Sequence, residues 1–328
     1  KKKAFYEGIA VKFHQYSSKR ETPVCEHFTY CGGCQWQHMN YQSQLFYKQQ
    51  EVVNNLKRLG GIVPEETLPI LGCEKPYFYR NKIEFSFSET RWLTPEEIAS
   101  KETIDSRNGL GFHIAGAWDK VLDIHKCHLQ QDPSNAIRNT LKAYALSQGY
   151  TFYNPRTHTG WLRTIMIRIT SLGELMVVIQ FLEEQQHERE QLLDYLLAQF
   201  PQITSLQYII NNKPNDTIYD QEVICYHGRD FIYEEMEGLH FKINAKSFFQ
   251  TNSSQAYELY KVTRDFAALT GEELVYDLYT GTGTIAQFVA KKAKKVIGVE
   301  AVPEAIADAK ENARNNQIDN VEFFVGDM

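Results

Sequence analysis

The stretch Asp277–Ala286, DLYTGTGTIA, decides the fold. It follows the short apolar run Glu273–Leu278 and leads into Thr284–Ala293, which has a helical pattern. A strand is therefore expected to pass through a glycine turn straight into a helix. Gly281 and Gly283 let the backbone come close to a ligand at that helix's N-terminus, where unpaired N–H groups favour anionic or polar groups. The same alternation continues: Val296–Glu300 reads as a strand, Pro303–Asn315 as a helix and Val321–Val325 as a strand. The βαβαβ order predicts one half of a doubly wound parallel sheet, with ligands bound at the carboxyl ends of its strands.

Three acidic residues fall at those strand ends. Asp277 precedes Gly281 by four positions, where a carboxylate can hold an ammonium group. Glu300 ends the second strand, where it can accept both hydroxyls of a ribose. Asp327 follows the third, beside the place a purine ring would occupy. The turn matches the dinucleotide fingerprint only in part, with Ala286 as its last small residue. A negative charge at Asp277 would repel a pyrophosphate, which opposes NAD, and it suits the amino acid end of S-adenosylmethionine.

Upstream, residues 41–60 carry Leu45, Val52, Leu56 and Leu59 at helical spacing, closed by Gly60-Gly61. Lys82–Ser88 alternates Ile83, Phe85 and Phe87 with polar residues, as a half-buried strand does. Further strands are predicted near Leu110–His113, Trp118–Ile124, Arg163–Thr170, Leu175–Phe181 and Ser205–Asn211. Val223–Tyr226 and Arg229–Tyr233 are expected to form a hairpin about His227-Gly228. Helices are predicted from Asp132-Pro133, with Asp132 as N-cap, and over Glu184–Gln199; the stretch from Leu93 to Asn108 reads as a surface loop. This region is α+β, so the chain divides into 25–240, a central α+β domain, and 241–328, the first half of a Rossmann-like domain.

The whole chain has 328 residues and a formal net charge of −6, which suits two domains of ~100–200 residues each. Hydrophobic residues make up 43%, enough for a sizeable core, which excludes a disordered or collagen-like chain. Net acidity excludes a protein that coats nucleic acid indiscriminately, though not a local basic face. No apolar run is long enough to cross a membrane. A cytoplasmic monomer is expected.

Six cysteines without a secretory leader argue for metal binding or catalysis rather than disulfides. Cys25, Cys31 and Cys34 lie in CEHFTYCGGC, where Gly32 and Gly33 permit a tight turn. Three thiolates require a fourth ligand, and Cys127 is the best candidate; zinc and an iron–sulfur cluster both remain open. His125 and His128 flank it and suit hydrogen bonds around such a site. Cys73 and Cys225 read as buried strand residues. Tyr77–Lys82 sets aromatics beside Arg80 and Lys82, a pattern fit for stacking on bases and holding phosphates. The run Lys291, Lys292, Lys294 and Lys295 reads as a solvated face.

The pieces CEHFTYCGGCQWQH, YRNKIEFSFS, KSFFQTN, DLYTGTGTIAQFVA, VIGVEAVPEAI and ENARNNQIDNVEFFVGD together resemble the RumA/TrmA-type RNA 5-methyluridine methyltransferases. The resemblance implies methyl transfer from S-adenosylmethionine to C5 of an RNA uridine. It implies a [4Fe–4S] cluster on Cys25, Cys31, Cys34 and Cys127, as in the 23S rRNA branch, and a cofactor site that includes Gln250, Tyr279, Thr284, Glu300 and Asp327. A tRNA uridine methyltransferase, or a zinc-binding RNA module without catalysis, is the alternative. By the same resemblance the chain departs from the family at both ends. Residues 1–24 would be the remnant of an RNA-binding β-barrel. The nucleophilic cysteine and the base would lie beyond Met328, leaving no catalytic residue in this chain, which is then expected to be inactive by itself.

Overall fold

The computed structural model describes residues 6, 8, 10–104 and 106–327. The chain forms two compact units, Lys1–Pro76 and Tyr77–Met328. Residues 1–24 lie partly outside the described residues; within 10–24 the one pairing is an isolated bridge from Arg20 to Met39.

The first unit is organised by helix α1 (Tyr41–Arg58). The Asn40 side chain caps it by accepting from Ser43 N at 2.9 Å. Lys57 and Arg58 in its last turn complement the helix dipole. The end is closed by Ile62 N donating to Leu56 O, with Gly61 at φ +64°. Gln49 donates to Leu68 O and accepts from Ile70 N, and Tyr41 Oη accepts from Cys73 N. These bonds tie the segment before Pro76 to the helix.

The second unit is built on a seven-stranded sheet in the order β3-β2-β1-β4-β5-β6-β7. Its strands are β1 (Lys82–Ser88), β2 (Gly109–Ile114), β3 (Ala117–Asp123), β4 (Leu162–Ile169), β5 (Leu175–Phe181), β6 (Ser205–Ile210) and β7 (Ile224–Gly228). Neighbours are antiparallel except β5 and β6, which helix α4 (Gln186–Gln199) connects. One face carries Ile83, Phe85, Ile165, Ile167, Val177 and Ile179 against α4 and helix α3 (Ser134–Ser147). Tyr144 of α3 stacks on Tyr195 of α4 with ring centroids 4.0 Å apart. The alternate residues Met166, Met176 and Val178 turn to the other face and join a second core. Both faces of β4 and β5 are thus covered, which explains why every residue of these strands is buried.

The second core is shared with the strand pair β8 (Phe231–Met236) and β9 (Leu239–Asn244), with helices α5 (Ser253–Ala267), α6 (Thr284–Ala290) and α7 (Pro303–Asn315), and with the parallel sheet β10 (Leu274–Leu278), β11 (Lys295–Glu300), β12 (Val321–Val325). The predicted βαβαβ half is present with its strands in the order β10-β11-β12. Lys291, Lys292 and Lys294 are exposed as expected, and Lys295 pairs with Glu322 at 2.7 Å.

Three local expectations are corrected. The hairpin about His227-Gly228 does not form. Gly228 lies at φ +76° opposite Ser205, where a Cβ would stand 2.1 Å from Thr204 O. The chain therefore ends β7 against β6 and crosses to a different sheet; the hairpin is β8–β9, around Glu237-Gly238, and it spans the expected boundary at residue 240. The stretch 93–108 is not all loop. Helix α2 (Pro95–Ser100) is held by a reciprocal Thr94/Glu97 capping box and an Arg91–Glu97 ion pair of 2.6 Å. Helix α3 starts at Ser134 rather than Pro133, although Asp132 still accepts from the backbone of Asn135 at 3.2 Å.

Polar side chains join the two cores. Glu234 is fully buried, and its carboxylate accepts from Ser171 N, Glu235 N and Ser253 Oγ. Asn81, at the start of β1, donates to Gln250 O and Ser253 Oγ, both at 2.8 Å. Replacing Glu234 with Ala strands two amide donors and a hydroxyl in a dry site. A loss of about 2–4 kcal/mol is expected in urea unfolding, and an unchanged midpoint would refute the role of this carboxylate.

Candidate functional site

The site forms where β10 ends. Tyr279, Gly281 and Gly283 all have positive φ, at +63°, +56° and +77°. This alternation coils the backbone so that Thr280 N returns to Val299 O and Gly283 N to Thr280 O. Oδ2 of Asp277 accepts from Thr280 Oγ1 at 2.6 Å and from Ala286 N at 2.9 Å. One carboxylate oxygen therefore closes the turn and caps the first turn of α6. Burial pushes the Asp277 carboxyl up; the bonds from Thr280 and Ala286 pull the other way.

The two glycines of the turn are needed for different reasons. A Cβ on Gly283 would stand 2.7 Å from the Phe323 ring and 3.0 Å from Ala309. A Cβ on Gly281 would meet nothing within 4 Å. Gly283 faces the core and Gly281 faces open space. Gly298 was not singled out in the sequence, yet its hydrogen makes room for the same ring: a Cβ there would lie 2.5 Å from Phe323 and 2.9 Å from Thr280 Oγ1. The signal for it was a glycine inside the apolar strand VIGVE, which marks close approach of another group.

Glu300 joins the strand end to the turn. Its Oε2 accepts from Gly281 N at 3.2 Å, and its Oε1 accepts from Val302 N at 3.1 Å. Each oxygen keeps a second lone pair for a ligand hydroxyl. Gly326 N donates to Glu300 O at 3.0 Å, which brings the exposed Asp327 to the same edge. Asp277, Tyr279, Gly281, Gly283, Thr284, Glu300 and Asp327 thus collect at the carboxyl ends of β10, β11 and β12. Tyr279 is exposed and Thr284 is buried against Thr282. Gln250 is exposed in the segment before α5, held by the Asn81 bond to its carbonyl.

The sequence reading missed Asn312. It is fully buried on α7, donates to Thr282 O in the turn and accepts from Lys242 N of β9. One Asn among the three of ENARNN gave no cue.

Arg80 donates its Nε to Lys82 O, and Lys82 is half-buried at the wall of a cavity of about 450 Å³. Burial pushes the Lys82 amine down, reinforced by Arg168.

The cysteines divide between the units. Cys25, Cys31 and Cys34 are half-buried in the first, where Cys31 Sγ accepts from Gly33 N at 3.4 Å. Cys25 N donates to the Gln37 side chain at 3.1 Å. Burial pushes the Cys25 thiol up, and Cys34 adds to it. Cys127 belongs to the second unit, buried and fixed by reciprocal bonds with the Asn135 side chain. The two remaining thiols are not buried strand residues as expected. Cys73 is half-buried in an irregular segment, and its thiol donates to Lys75 O. Cys225 is exposed because β7 is the edge strand of its sheet. Desolvation nonetheless pushes its thiol up, the wrong direction for a nucleophile.

The glycine turn closed by an acid and leading into a helix, with further acids on the next two strand ends, lies within a methyltransferase domain. Residues 270–328 match the family model described as a methyltransferase domain. A protein of Bacteroides thetaiotaomicron named an uncharacterized RNA methyltransferase is 55% identical over 331 residues, covering 100% of this chain and 73% of the relative. A protein of Porphyromonas gingivalis with the same name is also 55% identical, covering 100% of the chain and 72% of its own length. Among solved structures, the Pyrococcus abyssi tRNA (uracil-54, C5)-methyltransferase in complex with S-adenosyl-L-homocysteine superposes with a TM-score of 0.71 at 26% identity, over 96% of this chain and 68% of that one. The chain belongs to this family of RNA methyltransferases.

The contrast between the glycines is testable. Gly283→Ala forces both a positive φ and overlap with Phe323, and should cost about 2–4 kcal/mol of stability. Gly281→Ala carries only the strain of its φ, about 1–2 kcal/mol. Thermal unfolding of both variants checks the order, and a reversed order would refute the assignment of the two faces.

Proposed function

We propose that the protein methylates C5 of a uridine in RNA, with 23S rRNA as the substrate and S-adenosylmethionine as the methyl donor. The observation that carries the reading is the set of acids at the three parallel strand ends, together with the open face of Gly281. The residues fit the donor. Gly281 leaves room beside the backbone, and the free lone pairs of Glu300 suit a ribose diol. Asp277 Oδ1 has no hydrogen bond among the described residues and can take an ammonium while Oδ2 keeps the turn closed. Asp327 would flank the adenine, with Gln250, Tyr279 and Thr284 lining the rest. When bound, S-adenosylmethionine supplies the methyl group; the chain's own residues orient it. Uridine C5 is chosen because the sequence motifs resemble the uridine branch and because the structurally similar Pyrococcus protein acts on a uracil C5.

Cys25, Cys31, Cys34 and Cys127 would together ligate a [4Fe–4S] cluster. Cys31 already accepts an amide hydrogen bond of the sort that stabilises a thiolate ligand. Arg80 and Lys82 would contact RNA.

Three measurements test these assignments. Glu300→Ala should weaken S-adenosylmethionine binding by about 1–3 kcal/mol in calorimetry, because the ribose loses a charged acceptor. A longer protein that carries this chain together with the nucleophile and base should release tritium from 5-tritiated uridine in 23S rRNA transcripts, and the 328-residue chain alone should release none; methylation with tritium retained would place the methyl elsewhere, and release from tRNA alone would move the substrate. Protein purified without oxygen should contain iron and acid-labile sulfide in equal amounts, with broad visible absorption. Stoichiometric zinc without iron would overturn the cluster assignment.

A further inference from the structure

Arg138, in the second turn of α3, is a cation placed in an apolar core. It is 1% exposed, and its helix neighbours Ile137 and Leu141 pack in one core with Cys127 and Phe85. Its guanidinium lies over the Phe85 ring, 4.9 Å from the centroid. A buried guanidinium is normally balanced by a carboxylate, because an unpaired charge is costly away from water. Arg163 follows this rule through Asp216, and Arg189 through Glu184. Among the described residues no carboxylate pairs with Arg138. Asp123, which ends β3, pairs with Lys142 instead, and Asp132 accepts from Asn135 N. The Arg138 Nε is buried with no hydrogen-bond partner.

The groups that Arg138 does bind converge on one short segment. Its Nη2 donates to His125 O at 2.5 Å and to Asn139 Oδ1 at 3.1 Å, and its Nη1 donates to Asn135 Oδ1 at 3.1 Å. The same Asn135 oxygen accepts from Cys127 N at 2.7 Å, and Asn135 Nδ2 donates to Cys127 O at 3.2 Å. Asn139 Nδ2 adds a further bond to His125 O at 3.1 Å. Arg138 thus braces the backbone at His125 directly and, through Asn135, both backbone groups of Cys127. These bonds fix the main chain from which the Cys127 thiol projects. Burial pushes the guanidinium down to about 10, which leaves it charged near neutral pH. Of the groups that favour its charge, Cys127 leads, ahead of Asp123 and Asp132.

A buried cation without a carboxylate, tied to a cysteine backbone, has a definite use. A centre held by thiolates carries net negative charge, and that charge grows when the centre takes up an electron. Net charge and hydrogen bonding around the ligands set its reduction potential, and outer contacts that orient the ligands set how firmly the metal is held. A guanidinium in this place offsets the charge of the centre, and the centre offsets the cost of burying the guanidinium. An apolar residue would fill the core equally well but would do neither.

We propose that Arg138 is a positioning residue for the Cys127 ligand and the buried counter-charge of the metal centre that Cys127 helps to hold. The inference rests on the cluster reading above. The test uses the whole chain purified without oxygen, with iron content, iron loss to a chelator and a reductive titration followed by electron paramagnetic resonance. Arg138→Gln, which removes the charge, should lower the reduction potential and speed iron loss about tenfold. Arg138→Lys, which keeps the charge but loses the fork of donors, should speed iron loss while holding the potential near that of the parent chain. Asn135→Asp leaves Arg138 in place but sets a carboxylate against it, and should lower the potential as Arg138→Gln does; this variant decides the matter where Arg138→Gln fails to fold. An unchanged potential in the Arg138→Gln or Asn135→Asp chain, or an equal fall in Arg138→Lys, would overturn the counter-charge role. Iron loss at the parent rate in Arg138→Lys would overturn the positioning role. A parent chain that holds no iron would instead sink the cluster reading and this inference with it, so the two failures are told apart by the parent's iron content.

Discussion

One oxygen of Asp277 fixes the geometry on which the ligand site depends. A helix start leaves amide donors unpaired, and a turn with three positive-φ residues has little intrinsic stability. Asp277 Oδ2 meets both needs by accepting from Thr280 Oγ1 and Ala286 N. The strand, the turn and the helix thereby become one rigid piece. Because the carboxylate is spent on one oxygen only, this structural role leaves Oδ1 for the ammonium contact proposed above.

The rigid piece has to be placed, and Phe323 places it. Its ring fills the space left by the missing side chains of Gly283 and Gly298, so the turn, β11 and β12 interlock. Asn312 then ties Thr282 to β9, and the Asn244–Asp308 and Lys242–Glu311 contacts fasten the β8–β9 hairpin to α7. The hairpin in turn packs on β4 and β5, whose second face belongs to the other core. A chain of buried contacts thus runs from the central sheet to the glycine turn. Glu234 and Asn81 reinforce it near Ser253.

Much of this was legible in the sequence because periodicity reports burial. The strand Lys82–Ser88 and the helix Pro303–Asn315 lie where their alternation and their proline placed them. The acids at strand ends were legible because spacing along βα units is nearly fixed. Most of what failed was decided at long range. A His-Gly pair between two apolar runs has local hairpin chemistry, but Gly228 is required by Thr204 across the sheet, and no local pattern shows that. The Thr94/Glu97 capping box was local and readable, yet the polar composition around it hid it. Cys225 was misjudged because an edge strand and a central strand of similar composition differ only in their neighbours.

The same long-range argument explains why the cavity escaped a linear reading. Lys82 and Arg168 are 86 positions apart and meet only through the β1–β4 register. Along the chain, Glu84 looks like the solvent-facing member of an alternating strand, which normally calls for no explanation. On a half-solvated sheet such a face holds charges in bulk water. Here that face is bounded by segments from 216–219 and 245–248, so residues patterned for water line a concave space. Binary patterning distinguishes apolar from polar faces and says nothing of what later covers them. A polar strand face roofed by distant segments is therefore where sequence periodicity and tertiary structure part company.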